Sequence, residues 1–226
     1  MKKITGAIKY FSRVLINAVL TPWGYKFDYL LSMIKPNLLL KKPIPWMNYN
    51  VVSYINLSLG RSVNIFEYGS GSSTLYWVAR CSRLISVEHD KNFHDKISVQ
   101  LVPSIQYLLI MSEINNLADF YDPASPDLFQ SSDLKNHSFE KYVKSIDAFQ
   151  DEYFDVVVVD GRARPSCIKR SVSKIKSGGV LIVDNSDREY YWLQTSQLLI
   201  GWPKKVFRGT VRGLLHQEQT SIYIKP

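Results

Sequence analysis

The sequence predicts an α/β protein: an open, doubly wound, mostly parallel sheet ending in an antiparallel pair, preceded by a helical extension. Three observations lead there. From Trp46 onward, short apolar runs alternate with stretches of helical length and period. Phe154–Val159 is an uninterrupted apolar, β-branched run, as expected for a central parallel strand covered on both faces. The last two strand-like runs, Lys205–Phe207 and Ser221–Ile224, have no helix between them and therefore pair antiparallel.

The elements follow in order. Residues 1–45 read as a basic extension and 46–226 as the body. In the extension Ile4, Ala7, Ile8, Phe11, Val14, Leu15, Ala18 and Val19 recur at three- and four-residue steps. Lys2, Lys3, Lys9, Arg13 and Asn17 fall mostly elsewhere, which predicts an amphipathic helix with a basic polar side. Thr21-Pro22-Trp23-Gly24 stops it, a second apolar stretch covers Tyr29–Ile34, and Lys35–Pro45 reads as a linker. In the body, helices are expected over Asn48–Ser58, Ser73–Cys81, Asn92–Gln100 and Phe139–Phe149. Two more are expected over Pro165–Ile175, ended by Gly178-Gly179, and Glu189–Ile200. Strands are expected over Asn64–Tyr68, Leu84–Val87, Ile105–Met111 and Val180–Val183, and Asn115–His137 as a long polar loop. Ligands of such a sheet sit at the carboxyl ends of its strands.

Composition narrows the function. Of 226 residues 46% are hydrophobic, enough for a sizeable core. The net charge of +8 is concentrated: residues 1–45 carry eight basic side chains and one acid, leaving the body at +1. The basic balance therefore concerns the extension, and no nucleic-acid partner is expected. Cys81 and Cys167 have neither zinc spacing nor a disulfide framework and read as unpaired thiols. Met1-Lys2-Lys3 looks like a signal n-region, but Lys9 and Arg13 interrupt the apolar part. No apolar run reaches the roughly 20 residues that span a bilayer. A cytoplasmic protein is expected. Its basic helix over residues 1–22 either packs on the body or touches an anionic membrane surface.

The chemistry-bearing motif is Glu67-Tyr68-Gly69-Ser70-Gly71-Ser72-Ser73, between a strand and a helix. Gly69 and Gly71 permit a tight turn and close approach of a ligand, and Ser72 or Ser73 can cap the helix. The third glycine of a dinucleotide fingerprint is absent, with Thr74 in its place. Glu88 ends the next strand, where a carboxylate accepts hydrogen bonds from ribose hydroxyls of either NAD or S-adenosylmethionine. Glu67 would repel a pyrophosphate but suits the ammonium and sulfonium charges of the methyl donor. His89 follows Glu88, either near the adenine or on the surface.

These residues carry a resemblance. Phe66 to Leu75, Ile85 to Asp90 and Val159 to Arg164 look like a bacterial subgroup of class I, Rossmann-like S-adenosylmethionine-dependent methyltransferases. Pro45-Trp46-Met47 and Val183-Asp184-Asn185-Ser186 also match, so the similarity covers about residues 44 to 226. It implies a seven-stranded sheet with a terminal antiparallel hairpin and S-adenosylmethionine held by Glu67, Gly69, Ser70, Gly71, Ser72, Glu88, His89 and Asp160. It leaves the acceptor open; the expectation is an oxygen or nitrogen of a small-molecule or glycan-type acceptor. Asp160 is the first candidate for positioning the acceptor or taking its proton, with Arg162 and Asp184 beside it. Asp160, Asp184 and Asn185 are also similar to the metal ligands of catechol-type O-methyltransferases, which would suit magnesium unless Arg162 supplies the positive charge. The alternatives are an NAD-dependent oxidoreductase and a non-catalytic methyltransferase-like module at a membrane. Arg208, Arg212 and His216, and the aromatics Tyr190, Tyr191 and Trp192, lie near the expected cleft. His94 and His137 join no constellation.

Overall fold

The computed structural model describes residues 2–35, 43–102, 105–115 and 120–226. Most of the expected linker (36–42) and four residues of the long loop (116–119) lie outside the described residues. The body opens with helix α3 (Tyr49–Ser58), capped by Asn48, whose side chain accepts from the Val51 amide. Strands β1 (Val63–Tyr68), β2 (Cys81–Glu88), β3 (Gln106–Leu109), β6 (Phe154–Val159), β7 (Ile175–Asp184), β8 (Lys204–Thr210) and β9 (Gln217–Ile224) form one sheet, ordered β3-β2-β1-β6-β7-β9-β8. Only β9 runs against its neighbours, which it pairs antiparallel on both sides. The chain moves outward from β1 to β3 and restarts beside β1 with β6, so the switch point lies between β1 and β6.

Side-chain alternation along the strands divides the core into two layers. Phe66, Tyr68, Val157, Val159, Leu181 and Val183 face helices α6 (Glu140–Lys144) and α7 (Arg164–Lys174). Ile65, Val156, Val158, Ile182 and Ile222 face α3 and α4 (Ser72–Val78). Helix α5 (Lys91–Ser98) starts at Asp90, which caps the Phe93 amide.

Three expectations are corrected. Cys81 begins β2 and does not end a helix. Gly178-Gly179 lies inside β7, since α7 ends at Lys174. Glu189–Ile200 is not an α-helix but two 3-10 turns, Glu189–Tyr191 and Ser196–Leu199. There Thr195 Oγ1 donates to the Tyr191 carbonyl, competing with the backbone for it. The long loop is found where expected, its ends paired antiparallel as β4 (Glu113–Ile114) and β5 (His137–Ser138). Gln130 crosses it, donating to the Phe120 carbonyl and accepting from the Asp122 amide.

The extension comprises α1 (Lys2–Leu20), a 3-10 turn and α2 (Lys26–Ile34). It seats on residues 210–215, which join β8 to β9 at the ligand edge of the sheet. Asn17 Nδ2 donates to the Tyr29 hydroxyl and the Leu215 carbonyl, Tyr29 donates to the Leu214 carbonyl, and Thr21 meets Thr210. Asp28 pairs with Arg212 at 3.0 Å, both buried, and accepts from Tyr49. Asn17, assigned to the polar side by periodicity, is thus buried, while Phe11, Leu15 and Val19 are exposed. Hydrogen bonding to backbone carbonyls rotates the docked face away from the expected apolar stripe.

Candidate active site

The carboxyl ends of β1, β2, β6 and β7 bring most of the expected site residues together. Gly69 follows β1 with φ +87, and a Cβ there would stand 2.6 Å from Gly161 Cα and 2.7 Å from the Asp160 carbonyl. Reciprocally, a Cβ on Gly161 would stand 1.9 Å from the Tyr142 hydroxyl. The switch point is therefore built from two glycine backbones in contact, held by Gly69 N–H to Val87 O and Asp160 N–H to Tyr68 O, both 2.9 Å.

Glu88 is the centre of the loop's hydrogen bonding. Its Oε2 accepts from the Ser70 amide (3.0 Å) and hydroxyl (2.8 Å); its Oε1 accepts from the amides of His89 (2.7 Å) and Asp90 (2.9 Å). His89 Nδ1 lies 2.8 Å from Oε1. Burial alone would raise this carboxyl, but donors from His89, Asp90 and Ser70 win and hold it down at about 2. Arg162 Nε donates to His89 Nε2 at 3.2 Å. The ring edge meets Phe139 and Tyr142.

Glu67 lies beneath the loop. Its Oε2 accepts from Thr74 and Ser86 hydroxyls, each at 2.6 Å. Its Oε1 is buried with no hydrogen-bond partner among the described residues. Burial pushes the carboxyl up to about 7, tempered by Ser73, Ser86 and Thr74. The expected cap differs: Gly71 precedes α4 and its amide donates to Thr74 Oγ1, while Ser72 Oγ donates to the Ile44 carbonyl. Ser72 thus fastens the loop to the segment entering the body.

At β6 and β7, Arg164 fills the space that the magnesium reading requires. Its guanidinium donates to the carbonyls of Gly161, Asp184 and Asp160 and to Asp160 Oδ1. Asp184 accepts from Thr220, and Asn185 turns the chain in the left-handed region at φ 48. No cluster of three His, Cys, Asp or Glu side chains suited to a metal occurs among the described residues. The magnesium expectation is not supported, because a fixed guanidinium already supplies the positive charge. That group is Arg164; Arg162, the expected one, binds His89 and Asp133. Burial and the neighbouring Asp184 push Asp160 upward, against the pull of Arg164. Burial pushes Asp184 upward too.

Beside Gly161 lies a cavity of about 90 Å³, lined by Ser131, Ser132, Asp133, Arg162, Arg188 and Tyr190 among others. Ser132 and Tyr190 share a 3.0 Å hydrogen bond that ties the long loop to the turn after β7. Arg188 donates to the Tyr191 hydroxyl. Of the remaining candidates, Arg212 serves the extension, and His216 lies beside Glu218. Thr74 and Tyr107 enter unannounced by any motif. Tyr107 hydrogen-bonds Ser70 at 2.6 Å and stacks on His94. The only sequence signal for Thr74 is its place at the missing third glycine.

The fold of the chain is shared with solved structures. Over 82% of this chain and 92% of the other, it is similar to a precorrin-6y C5,15-methyltransferase from Geobacter metallireducens GS-15. That pair has a TM-score of 0.52 and 14% identity. It is also similar to the tRNA (m1A58) methyltransferase TrmI from Aquifex aeolicus, with a TM-score of 0.51 and 10% identity over 84% and 75% of the two chains. The chain has the class I methyltransferase fold. No family model and no curated protein matches the sequence. A methyltransferase sheet does not select an acceptor: one of these neighbours is named for a tRNA, so nothing in the fold supports excluding nucleic acid.

Proposed function

We propose that this protein is an S-adenosylmethionine-dependent methyltransferase acting on an oxygen or nitrogen of a small-molecule or glycan-type acceptor. The observation that carries it is the pair of carboxylates around one glycine loop: Glu88 bonded to Ser70 of the loop, and Glu67 beneath it with a buried, unpartnered oxygen. An orphaned carboxylate oxygen fits a cationic ligand group and opposes a pyrophosphate, which disfavours a dinucleotide. Glu88 suits the ribose hydroxyls, which would take over donor positions that Ser70 now fills. Gly69, Ser70, Gly71 and Ser72 shape the loop, and His89, edge-on to Phe139, borders the adenine side.

When bound, the cofactor supplies a methyl group already activated on a sulfonium. The chain's own task is then alignment and proton handling. Asp160 stands at the switch point next to both the loop and the polar cavity. With its carboxyl raised by burial, it suits accepting a proton from a hydroxyl or amine. Asp184 and Arg164 hold that strand end in place, and Arg162 presents the cavity wall. The hydrogen-bonding lining of Ser131, Ser132, Arg162, Arg188 and Tyr190 favours a polar acceptor.

Calorimetry tests the reading. S-adenosylhomocysteine is expected to bind the intact protein in the micromolar range, with binding lost in Glu88→Ala and NAD inert. Binding of NAD without S-adenosylhomocysteine would overturn it.

A further inference from the structure

The extension presents a face that the body does not use. Helix α1 meets the body through Val14, Asn17 and Ala18, with Thr21 just beyond it. Ile8, Phe11, Leu15 and Val19 recur at three- and four-residue steps on a different stripe and are 62% to 73% exposed. Trp23, 86% exposed, and Phe27, 77% exposed, add apolar side chains in the turn and the start of α2. Single exposed apolar side chains are ordinary, but a continuous series along one element marks a contact surface.

The sequence of this unit is strongly basic. The first 35 residues hold Lys2, Lys3, Lys9, Arg13, Lys26 and Lys35 against one acid, Asp28, which is buried on Arg212. On α1, Lys9 and Arg13 are exposed, and Lys26 sits over the Trp23 ring. No helix of the described residues is long and apolar enough to cross a membrane.

We propose that the α1–α2 unit is an in-plane docking surface for an anionic lipid bilayer. The apolar stripe enters the acyl boundary while the basic side chains meet anionic headgroups. A second copy of this chain fits less well, because it would bring two strongly positive surfaces together. A nucleic acid would satisfy the charges but leave Ile8, Leu15 and Val19 with no apolar partner. Because the unit seats on residues 210–215, docking tethers the body to the membrane through the connection from β8 to β9. This inference does not depend on the methyltransferase reading.

The test is co-sedimentation of the full chain with phosphatidylcholine vesicles, with and without phosphatidylglycerol, at physiological salt. Binding is expected only with phosphatidylglycerol. Phe11→Glu/Leu15→Glu and Lys9→Glu/Arg13→Glu should each weaken it at least about tenfold. All four side chains are exposed, so the melting temperature should stay unchanged, and circular dichroism checks this. Absence of binding, equal binding to neutral vesicles, or indifference to the variants overturns the proposal. So does a dimer in light scattering that Phe11→Glu/Leu15→Glu abolishes without vesicle binding, or RNA binding in its place.

Discussion

At the scale of single residues, two glutamates near one loop are driven in opposite directions by their surroundings. Glu88 gathers four hydrogen bonds and sits near 2, whereas Glu67 keeps an unpartnered buried oxygen and sits near 7. A cation placed at Glu67 favours its ionised form, so cofactor binding should release a proton. S-adenosylmethionine affinity is therefore expected to rise as pH increases from 6 to 8 and level off above. Glu67→Gln should weaken binding and flatten that profile; calorimetry across the range reads both. Gly161 acts by size. Its substitution by Ala puts a methyl on the Tyr142 hydroxyl and should cost about 3 kcal/mol in urea unfolding. Adding Tyr142→Phe should recover part of that loss.

At the scale of elements, the strand ends are held by hydrogen bonds across them as well as by packing. Arg164 ties the end of β6 to that of β7 through three carbonyls and Asp160. Ala163, at φ 47, makes the left-handed turn that starts α7 and lets Arg164 reach back. Arg164→Met leaves the partly buried Asp160 and the buried Asp184 without their nearest counter-charge and should cost roughly 3 kcal/mol in denaturant unfolding at neutral pH. Arg164→Lys should restore little, since an ammonium lacks the planar fork that reaches four acceptors. The excursion from 113 to 138 is organised the same way, by Gln130 across it and Ser132 on Tyr190.

At the scale of the whole molecule, the buried acids set the pH response of folding. Glu67 has a folded pKa of about 7 against an ordinary 4.5. Its contribution is fully present below about pH 4.5 and lost as pH rises through 7, a change on the order of 3 kcal/mol. Asp160 and Asp184, also raised, act in the same direction. Glu88 acts oppositely: its contribution is present above about 4.5 and lost as pH falls toward 2. The ligand-free protein should accordingly melt higher at pH 5.5 than at pH 8. S-adenosylmethionine should raise the melting temperature more at pH 8, and Glu67→Gln should narrow both differences. Differential scanning calorimetry with and without ligand checks this.

The sequence by itself determined the layered α/β architecture and the position of the glycine loop. Strand runs such as Phe154–Val159 and turn residues such as Gly69 are local signals, written in side-chain period and backbone freedom. It also placed Glu67, Glu88 and Asp160 at strand ends, because a parallel sheet sends those ends to one edge. Tertiary structure decided what each polar group faces. Arg162 and Arg164 are equivalent in the sequence, two residues apart; only the turn at Ala163 sends one to Asp160 and the other to His89. Thr74 and Tyr107 became parts of the loop because α4 and β3 pack there, and Asn17 became a buried link through its bond to Leu215, 198 residues away. Hydrogen bonds between distant segments depend on how elements stack, and no short window of sequence contains both partners.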